Sequence, residues 1–265
     1  YADDQFVFPI TISIPHSYHH DGGLTVSYRL NTGKHNLRAG LVASAGQIDR
    51  RTYINKDGLE SFMFAHDNLQ ARNLTLFAED LIRLTSKLNF VADAQLVYNE
   101  RNSSDRFPQP DLRPWYSHMS KKYRYFRSQS TTLNQHFSAF NPRIGLIYSP
   151  FKGQDVQLFG NLSRSYEPPT FDELVGTEVT TNINTSPKRL YAIALDKQTA
   201  TTLELGSKGR TTRFSWNVAA YHSWVHNEIL EVKDYVRGIK RTENYPTTLH
   251  QGVEVGLNAV VADNP

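Results

Sequence analysis

Hydrophobic and polar residues alternate one for one along much of the chain, which is the period of a β-strand. The clearest segment is 143–163, where apolar residues fill every second position in two successive runs. These residues are Ile144, Leu146 and Tyr148 in the first run and Val156, Leu158 and Leu162 in the second. Ile147 and Phe159 are apolar exceptions on the polar side. With turn residues between the runs, the segment predicts a hairpin with one apolar and one polar face.

The same alternation predicts strands before and after this hairpin. They cover residues 24–30, 37–43, 76–84, 90–98, 203–206, 216–224 and 253–259, with a weaker run at 6–14 that contains a proline. Residues 76–84 also fit an amphipathic helix, because Leu81, Ile82 and Leu84 are crowded, but the neighbouring strands favour a strand. We therefore predict an all-β protein with about ten antiparallel strands.

The connections between these strands alternate in length, apart from the first, a polar segment that contains His16, His19 and His20. Short turns are predicted at 31–34, 85–87, 150–155 and 209–212, and long loops at about 46–72, 101–139 and 167–199. An outer-membrane barrel has tight turns at one end and long loops at the other, whereas soluble sandwiches mix both lengths at both ends. The pattern predicts an antiparallel transmembrane β-barrel.

Composition excludes several other classes. The chain contains no run of about 18 apolar residues, so it is not a helical membrane protein. Its mean hydropathy of −0.51 is compatible with alternating barrel strands. The net charge of +3 is dispersed, which disfavours nucleic acid as a partner, and the absence of cysteine excludes disulfides and thiolate metal sites. We expect no catalytic residues, no cofactor and no metal site, because no catalytic motif is present and the three histidines lie in a predicted flexible loop.

Several segments resemble, in the same order, the barrel of TonB-dependent outer-membrane receptors. They are LFAEDLIRLTSKLNFVADAQLVY, FNPRIGLIYSP with VQLFGNLSRSYEPPTFDEL, TATTLELGSKGR, FSWNVAAYHSWVHNEI and GVEVGL. The resemblance covers roughly residues 70–261 and implies a barrel of about 22 strands closed around a plug. Since this chain has about ten predicted strands and no plausible plug, we interpret it as a fragment of the barrel domain.

The resemblance also implies a function and a location. It predicts an active transporter, not an enzyme, in the outer membrane of a Gram-negative bacterium. Its partners would be a scarce nutrient, foremost a ferric siderophore, the surrounding outer-membrane lipid, and the TonB complex through parts of the protein outside this chain. The alternatives are a passive porin or adhesin barrel and a soluble β-rich binding module.

A cluster in the longest loop supplies the candidate ligand contacts, because aromatic faces and guanidinium groups suit a bulky anionic iron chelate. The candidates are Trp115, Tyr116, His118, Tyr123, Arg124, Tyr125 and Arg127. Packing within the loop or an aromatic belt at the membrane interface is the alternative role for these residues.

Overall fold

The computed structural model describes residues 13–117, 120–151, 155–179, 188–234 and 239–260, which form thirteen β-strands. In chain order the strands are β1 (Ser13–Asn31), β2 (His35–Lys56), β3 (Leu59–Arg83), β4 (Leu88–Asp105), β5 (Leu112–Ser117), β6 (Lys122–Arg127), β7 (Leu133–Tyr148), β8 (Asp155–Glu167), β9 (Val175–Val179), β10 (Lys188–Ala192), β11 (Gln198–Arg210), β12 (Phe214–Asp234) and β13 (Ile239–Ala259). No helix in these ranges has the length and hydrophobicity needed to cross a bilayer.

Eleven of the strands form one sheet in the order β1-β2-β3-β4-β7-β8-β11-β12-β13-β9-β10, and β5 and β6 form a separate pair. The strand pairs are antiparallel throughout, and the sheet is not closed on itself. We call the nine long strands from β1 to β13, without β5, β6, β9 and β10, the wall. The prediction of an all-β, antiparallel, partial barrel is confirmed, and so is the strand rather than the helix at residues 76–84, which lie almost entirely in β3.

Two predicted connections are strands instead. Residues 46–72 lie mostly in β2 and β3, joined by a turn at Asp57 and Gly58 with φ values of 57° and 92°. The segment with the three histidines belongs to β1, and the predicted strand at 6–14 lies mostly outside the described residues. Neither segment alternates regularly: the histidine segment is polar, and in 46–72 the buried apolar residues Phe64, Ala65 and Leu69 do not fall at every second position. A strand that projects into water needs no apolar face, so its ladder leaves no period-two signal in the sequence.

The other long connections are partly strand as well. The predicted loop 101–139 contains β5, β6, the end of β4 and the start of β7. The predicted loop 167–199 contains β9 and β10, and its residues 180–187 lie outside the described part of the chain. The four predicted short turns do lie between consecutive strands, although residues 152–154 of one of them are not described.

The wall has one apolar face, formed because paired strands place their apolar residues side by side. Leu24 pairs with Ala43, which pairs on its other side with Leu74. The large side chains on this face are exposed: Leu24, Val26, Tyr28, Leu74, Leu76, Leu96, Phe140, Ile144, Leu146, Leu158, Leu162, Leu203, Leu205, Trp224, Leu249, Val253, Val255 and Leu257. An exposed apolar surface of this extent marks contact with a membrane or another protein.

The opposite face of the wall is polar and hydrogen-bonded. Arg143 of β7 donates from Nε to Asp93 Oδ2 of β4 at 2.5 Å. Asn161 of β8 donates from Nδ2 to Glu204 Oε2 of β11 at 2.8 Å. These contacts join neighbouring strands without apolar packing, which suits a surface that faces water inside a barrel.

Phe159, the apolar exception on the polar face, packs over a glycine. A Cβ built on Gly206 would meet Phe159 Cζ at 2.4 Å and the Val218 carbonyl oxygen at 2.6 Å. The ring therefore occupies the space that a side chain at position 206 would need. Phe77 over Gly40 and Tyr221 over Gly252 repeat the arrangement, so aromatic rings cover several glycines of the polar face.

The facing of the central hairpin can be tested with a pair of substitutions on β8. Leu158→Arg places a cation on the apolar face, which costs about 2–4 kcal/mol at the middle of a bilayer, whereas Asn161→Arg stays on the polar face beside Glu204. We expect Leu158→Arg to lower the folded, heat-modifiable fraction of the full-length protein sharply and Asn161→Arg to leave it near normal. Equal damage by both substitutions would mean that the facing is misassigned.

The contact between Phe159 and Gly206 predicts a difference between two glycine substitutions. Gly206→Ala should destabilise the protein by about 1–3 kcal/mol, because the new methyl group overpacks against a ring and a backbone oxygen. Gly256→Ala is the control, since the nearest atom to its Cβ is the Asn217 carbonyl oxygen at 3.7 Å. Urea unfolding of the full-length protein measures both. Indistinguishable midpoints would show that Phe159 does not depend on this glycine.

Candidate functional site

The loops fold into a compact cap on the polar face, at the end of the wall opposite the tight turns. We define the cap as residues 106–132 together with the ends of β2 and β3 at 52–66. Its centre is the main cluster of buried apolar residues among those described: Ile54, Phe64, Ala65, Trp115, Tyr116 and Phe126, with Leu190 of β10 packed against it. Whereas the apolar face of the wall is exposed, these residues of the cap are buried, so the cap is held by ordinary core packing.

A fully buried arginine fixes the cap to the wall. Arg113 of β5 donates from Nη2 to Asp105 Oδ2 at 2.5 Å and from Nη1 to the Phe64 carbonyl oxygen at 2.9 Å. Its guanidinium also lies 5.1 Å from the centre of the Phe107 ring. Because both charged side chains are buried, either one without the other would leave an uncompensated charge in the protein interior.

A second buried carboxylate lies beside this pair. Thr131 donates from Oγ1 to Asp67 Oδ1 at 2.5 Å, and Arg50 Nη2 lies 4.0 Å from Asp67 Oδ2. Burial raises the pKa of Asp67 above its ordinary value, more than Thr131 and Arg50 lower it. Asp67 lies on β3 beyond the apolar run that ends at Leu74, outside the segment expected to span the membrane. The protonated form of Asp67 is therefore favoured in the closed cap relative to open solvent.

The loop between β8 and β11 is joined to the cap at one end and to the wall at the other. Gln129 N and Ser128 Oγ both donate to the Leu190 carbonyl oxygen at 2.9 Å, and Arg50 Nη1 donates to Asp172 Oδ1 at 2.7 Å. Its strand β9 pairs with β13 through the backbone. The loop thus connects the cap to the far side of the wall.

The structure divides the candidate ligand residues into two groups. Trp115 and Tyr116 are buried in the cap, with 7% and 3% of their surface exposed. Tyr123, Arg124, Tyr125 and Arg127 of β6 are exposed, and His118 lies outside the described residues. Tyr125 and Arg127 pair with Pro114 and Leu112, so they share one face of the β5–β6 pair. A ligand reaching the cap from solvent would meet this exposed group first.

Tyr123 belongs to a small aromatic cluster at the tip of the β2–β3 hairpin. Its hydroxyl lies 2.7 Å from Ser61 Oγ, and its ring centre is 5.1 Å from that of Phe62 and 5.0 Å from that of Tyr116. Lys56 Nζ lies 5.7 Å from the centre of the Tyr123 ring. These contacts fix the orientation of Tyr123, which leaves Tyr125 and Arg127 as the more adaptable members of the exposed group.

Sequence reasoning missed the charged residues that organise the cap, because no local pattern separates a buried arginine such as Arg113 from an exposed one. It also placed His16 in a flexible loop, whereas His16 lies in β1 with Nε2 2.7 Å from Glu60 Oε2. Among the described residues, no group of three or more histidine, aspartate or glutamate side chains is arranged to hold a metal ion.

The sequence of the chain matches a known family of receptors. The sequence model of the family "TonB dependent receptor-like, beta-barrel" matches residues 3–260, and the chain belongs to this family. We therefore assign it to the outer membrane of a Gram-negative bacterium, with its apolar face toward lipid. No curated protein matches the chain in sequence.

Solved structures of low sequence identity share the fold. A structure named "Copper transporter OprC" has a TM-score of 0.70 at 12% identity and covers 95% of this chain and 37% of its own. The siderophore receptor PiuA from Acinetobacter baumannii scores 0.63 at 12% identity, with 95% and 37% covered. The ferric yersiniabactin uptake receptor FyuA from Yersinia pestis scores 0.61 at 11% identity, with 95% and 34% covered. This chain therefore spans little more than a third of the length of such proteins.

The buried ion pair predicts how the cap opens. Arg113→Met would leave the buried Asp105 carboxylate without its partner, which should destabilise the closed cap by about 3–5 kcal/mol. Arg124→Met is the control, because Arg124 is exposed and forms no ion pair with the described residues. We expect Arg113→Met to increase hydrogen exchange and proteolysis at 101–132 in the full-length protein, with the wall still heat-modifiable. The double variant Arg113→Met, Asp105→Asn should recover part of the protection. Unchanged exchange in Arg113→Met would contradict the proposed role of the pair.

Proposed function

We propose that the whole protein is an active outer-membrane transporter for a scarce nutrient, foremost a ferric siderophore, energised through TonB. Membership of the family supports this proposal. In it, the wall forms part of the barrel, and the cap forms part of the outer entrance where the nutrient binds. The TonB complex would act through parts of the protein outside this chain.

The exposed group on β6 is the observation that favours an anionic chelate. Tyr125 is 65% exposed, and Arg127 is also exposed on the same face. A tyrosine ring can stack on the aromatic groups of a chelate, while a guanidinium forms charge-assisted hydrogen bonds to its oxygen atoms. The solved structures with this fold include proteins named as a siderophore receptor, a ferric yersiniabactin uptake receptor and a copper transporter. We therefore propose an iron chelate as the first candidate nutrient and other metal complexes as the second.

The alternatives are less well supported. A soluble β-rich module would need a second sheet over the apolar face, and the described residues leave that face exposed. A passive porin or adhesin shares the alternation of the wall but has no energy coupling. We also propose that the segments 46–72, 101–139 and 167–199 face the outside of the cell, because the tight turns lie at the other end of the wall.

Growth and binding assays with the full-length protein test the transport proposal. A deletion strain is grown on a panel of ferric chelates and other nutrients, with and without functional TonB. We expect growth on one chelate class to require both proteins. Uptake that persists without TonB would favour a porin, and normal use of every ferric chelate with failure on another nutrient would remove iron from the proposal.

The role of the exposed group is tested separately in the same strain. Tyr125→Ala with Arg127→Ala should weaken binding of the identified nutrient by about tenfold or more, because a stacking contact and a charged hydrogen bond are lost. Leu59→Ala is the control, since Leu59 is exposed at the β2–β3 tip outside the candidate group. Unchanged affinity in the double variant would move the ligand site elsewhere while leaving the transport proposal intact.

A further inference from the structure

The wall contains a split between β7 and β8. The two strands pair only from Arg143 with Ser163 to Tyr148 with Leu158. Beyond that, β7 remains paired with β4 as far as Leu133, and β8 remains paired with β11 as far as Glu167. The last pair on β7 is formed by Arg143, and the residue beside it on the unpaired side is Pro142. Proline has no backbone N–H to continue a ladder. The sheet therefore opens between residues 133–142 of β7 and 164–167 of β8.

Residues just before β11 partly fill the split. Gln135 of β7 donates from Nε2 to the Leu195 carbonyl oxygen at 3.1 Å, and the Lys197 ammonium group donates to the Ser138 carbonyl oxygen. Lys197 Nζ also lies 6.0 Å from the centre of the Tyr166 ring. What remains open is a groove of about 580 Å³, a volume within the range of about 300–1,000 Å³ seen for small-molecule sites.

The groove lies on the apolar face of the wall. Its sides include Leu74, Leu76, Leu96 and Phe140, four exposed residues of β3, β4 and β7. On each of these strands the apolar residues of this face are followed by polar ones toward the cap, as Leu74 is followed by Arg72. The groove therefore lies on the lipid side of the wall, where hydrocarbon gives way to the headgroup region.

Two cations border the groove and lack a carboxylate partner among the described residues. Arg164 of β8 is exposed and is the next residue on the apolar face after Leu162. The Lys197 ammonium group donates to the Ser138 carbonyl oxygen and lies beside the Tyr166 ring, and it forms no ion pair with the described residues. A guanidinium and an ammonium group at the edge of an apolar groove match an amphiphile whose head is anionic.

We propose that this groove binds a phosphate-bearing lipid of the surrounding leaflet. Its acyl chain would lie along Leu76, Leu96 and Phe140, and its phosphate against Arg164 and Lys197. A second copy of the chain is a poorer occupant, because a symmetric contact through this groove would bring the same cations of both copies together. A lipid instead supplies an acyl chain for the apolar sides of the groove and a negative charge for its two cations.

The test uses the full-length receptor in detergent, with native mass spectrometry to measure bound lipid. The probes are phosphatidic acid and diacylglycerol with the same acyl chains, so that they differ only in the phosphate. We expect phosphatidic acid to bind at least about tenfold more tightly, since each basic residue near a headgroup contributes several-fold in affinity. Inorganic phosphate at the same concentration should not displace it, because free phosphate makes no apolar contact.

Three variants assign the site, each first checked for heat-modifiability. Arg164→Gln with Lys197→Gln should abolish the preference for phosphatidic acid, whereas Lys208→Gln, an exposed cation of β11 on the polar face, should keep it. Leu96→Trp, which fills the groove and leaves both cations in place, should weaken binding of both lipids. Equal binding of the two lipids by the unmodified receptor, an undiminished preference in the double variant, or a dimer that excludes lipid would each overturn the proposal. None of these measurements involves a nutrient, so the outcome is separate from the transport proposal.

Discussion

Backbone pairing between neighbouring strands is the constraint on which the membrane-crossing part of the wall depends. In lipid no water is present to satisfy an unpaired N–H or C=O group, so the chain must cross as a continuous antiparallel ladder. Once that ladder is fixed, side chains alternate between two solvents. Leucines such as Leu158 meet hydrocarbon on one face, while Asn161 and Glu204 bond to each other on the other. The wall therefore needs no buried core of its own.

The cap follows the opposite rule, since it is built in water and must bury apolar surface to hold its shape. Trp115, Phe126 and Leu190 pack together there, and Arg113 with Asp105 joins this core to the wall. One chain thus combines a wall held by backbone hydrogen bonds with a cap held by packing and one buried ion pair. A ligand site on the exposed surface of the cap would be free to change in sequence without disturbing the ladder, because the ladder is held by backbone hydrogen bonds.

The sequence was informative where one face of a strand meets lipid and uninformative elsewhere. Residues 143–163 alternate clearly and were predicted as two strands joined by a turn, whereas residues 46–72 do not alternate regularly and were predicted as a loop although they continue β2 and β3. Phe159 interrupts the alternation because its ring covers Gly206 on the neighbouring strand, which is not apparent from the local sequence. Among the candidate ligand residues, no local signal separates Trp115, which is buried, from Tyr125, which is exposed. That distinction depends on contacts between segments far apart in sequence.

The distances along the chain also order the assembly of the two parts. Wall strands β1 and β2 meet across a turn of three residues, while the loop between β8 and β11 reaches back to β2 through Arg50 and Asp172, which are separated by 122 positions. Long-range closure costs more chain entropy and comes later than local pairing. A newly inserted barrel would hence pair its strands before its outer loops dock, and the docking of those loops would be the last step of maturation.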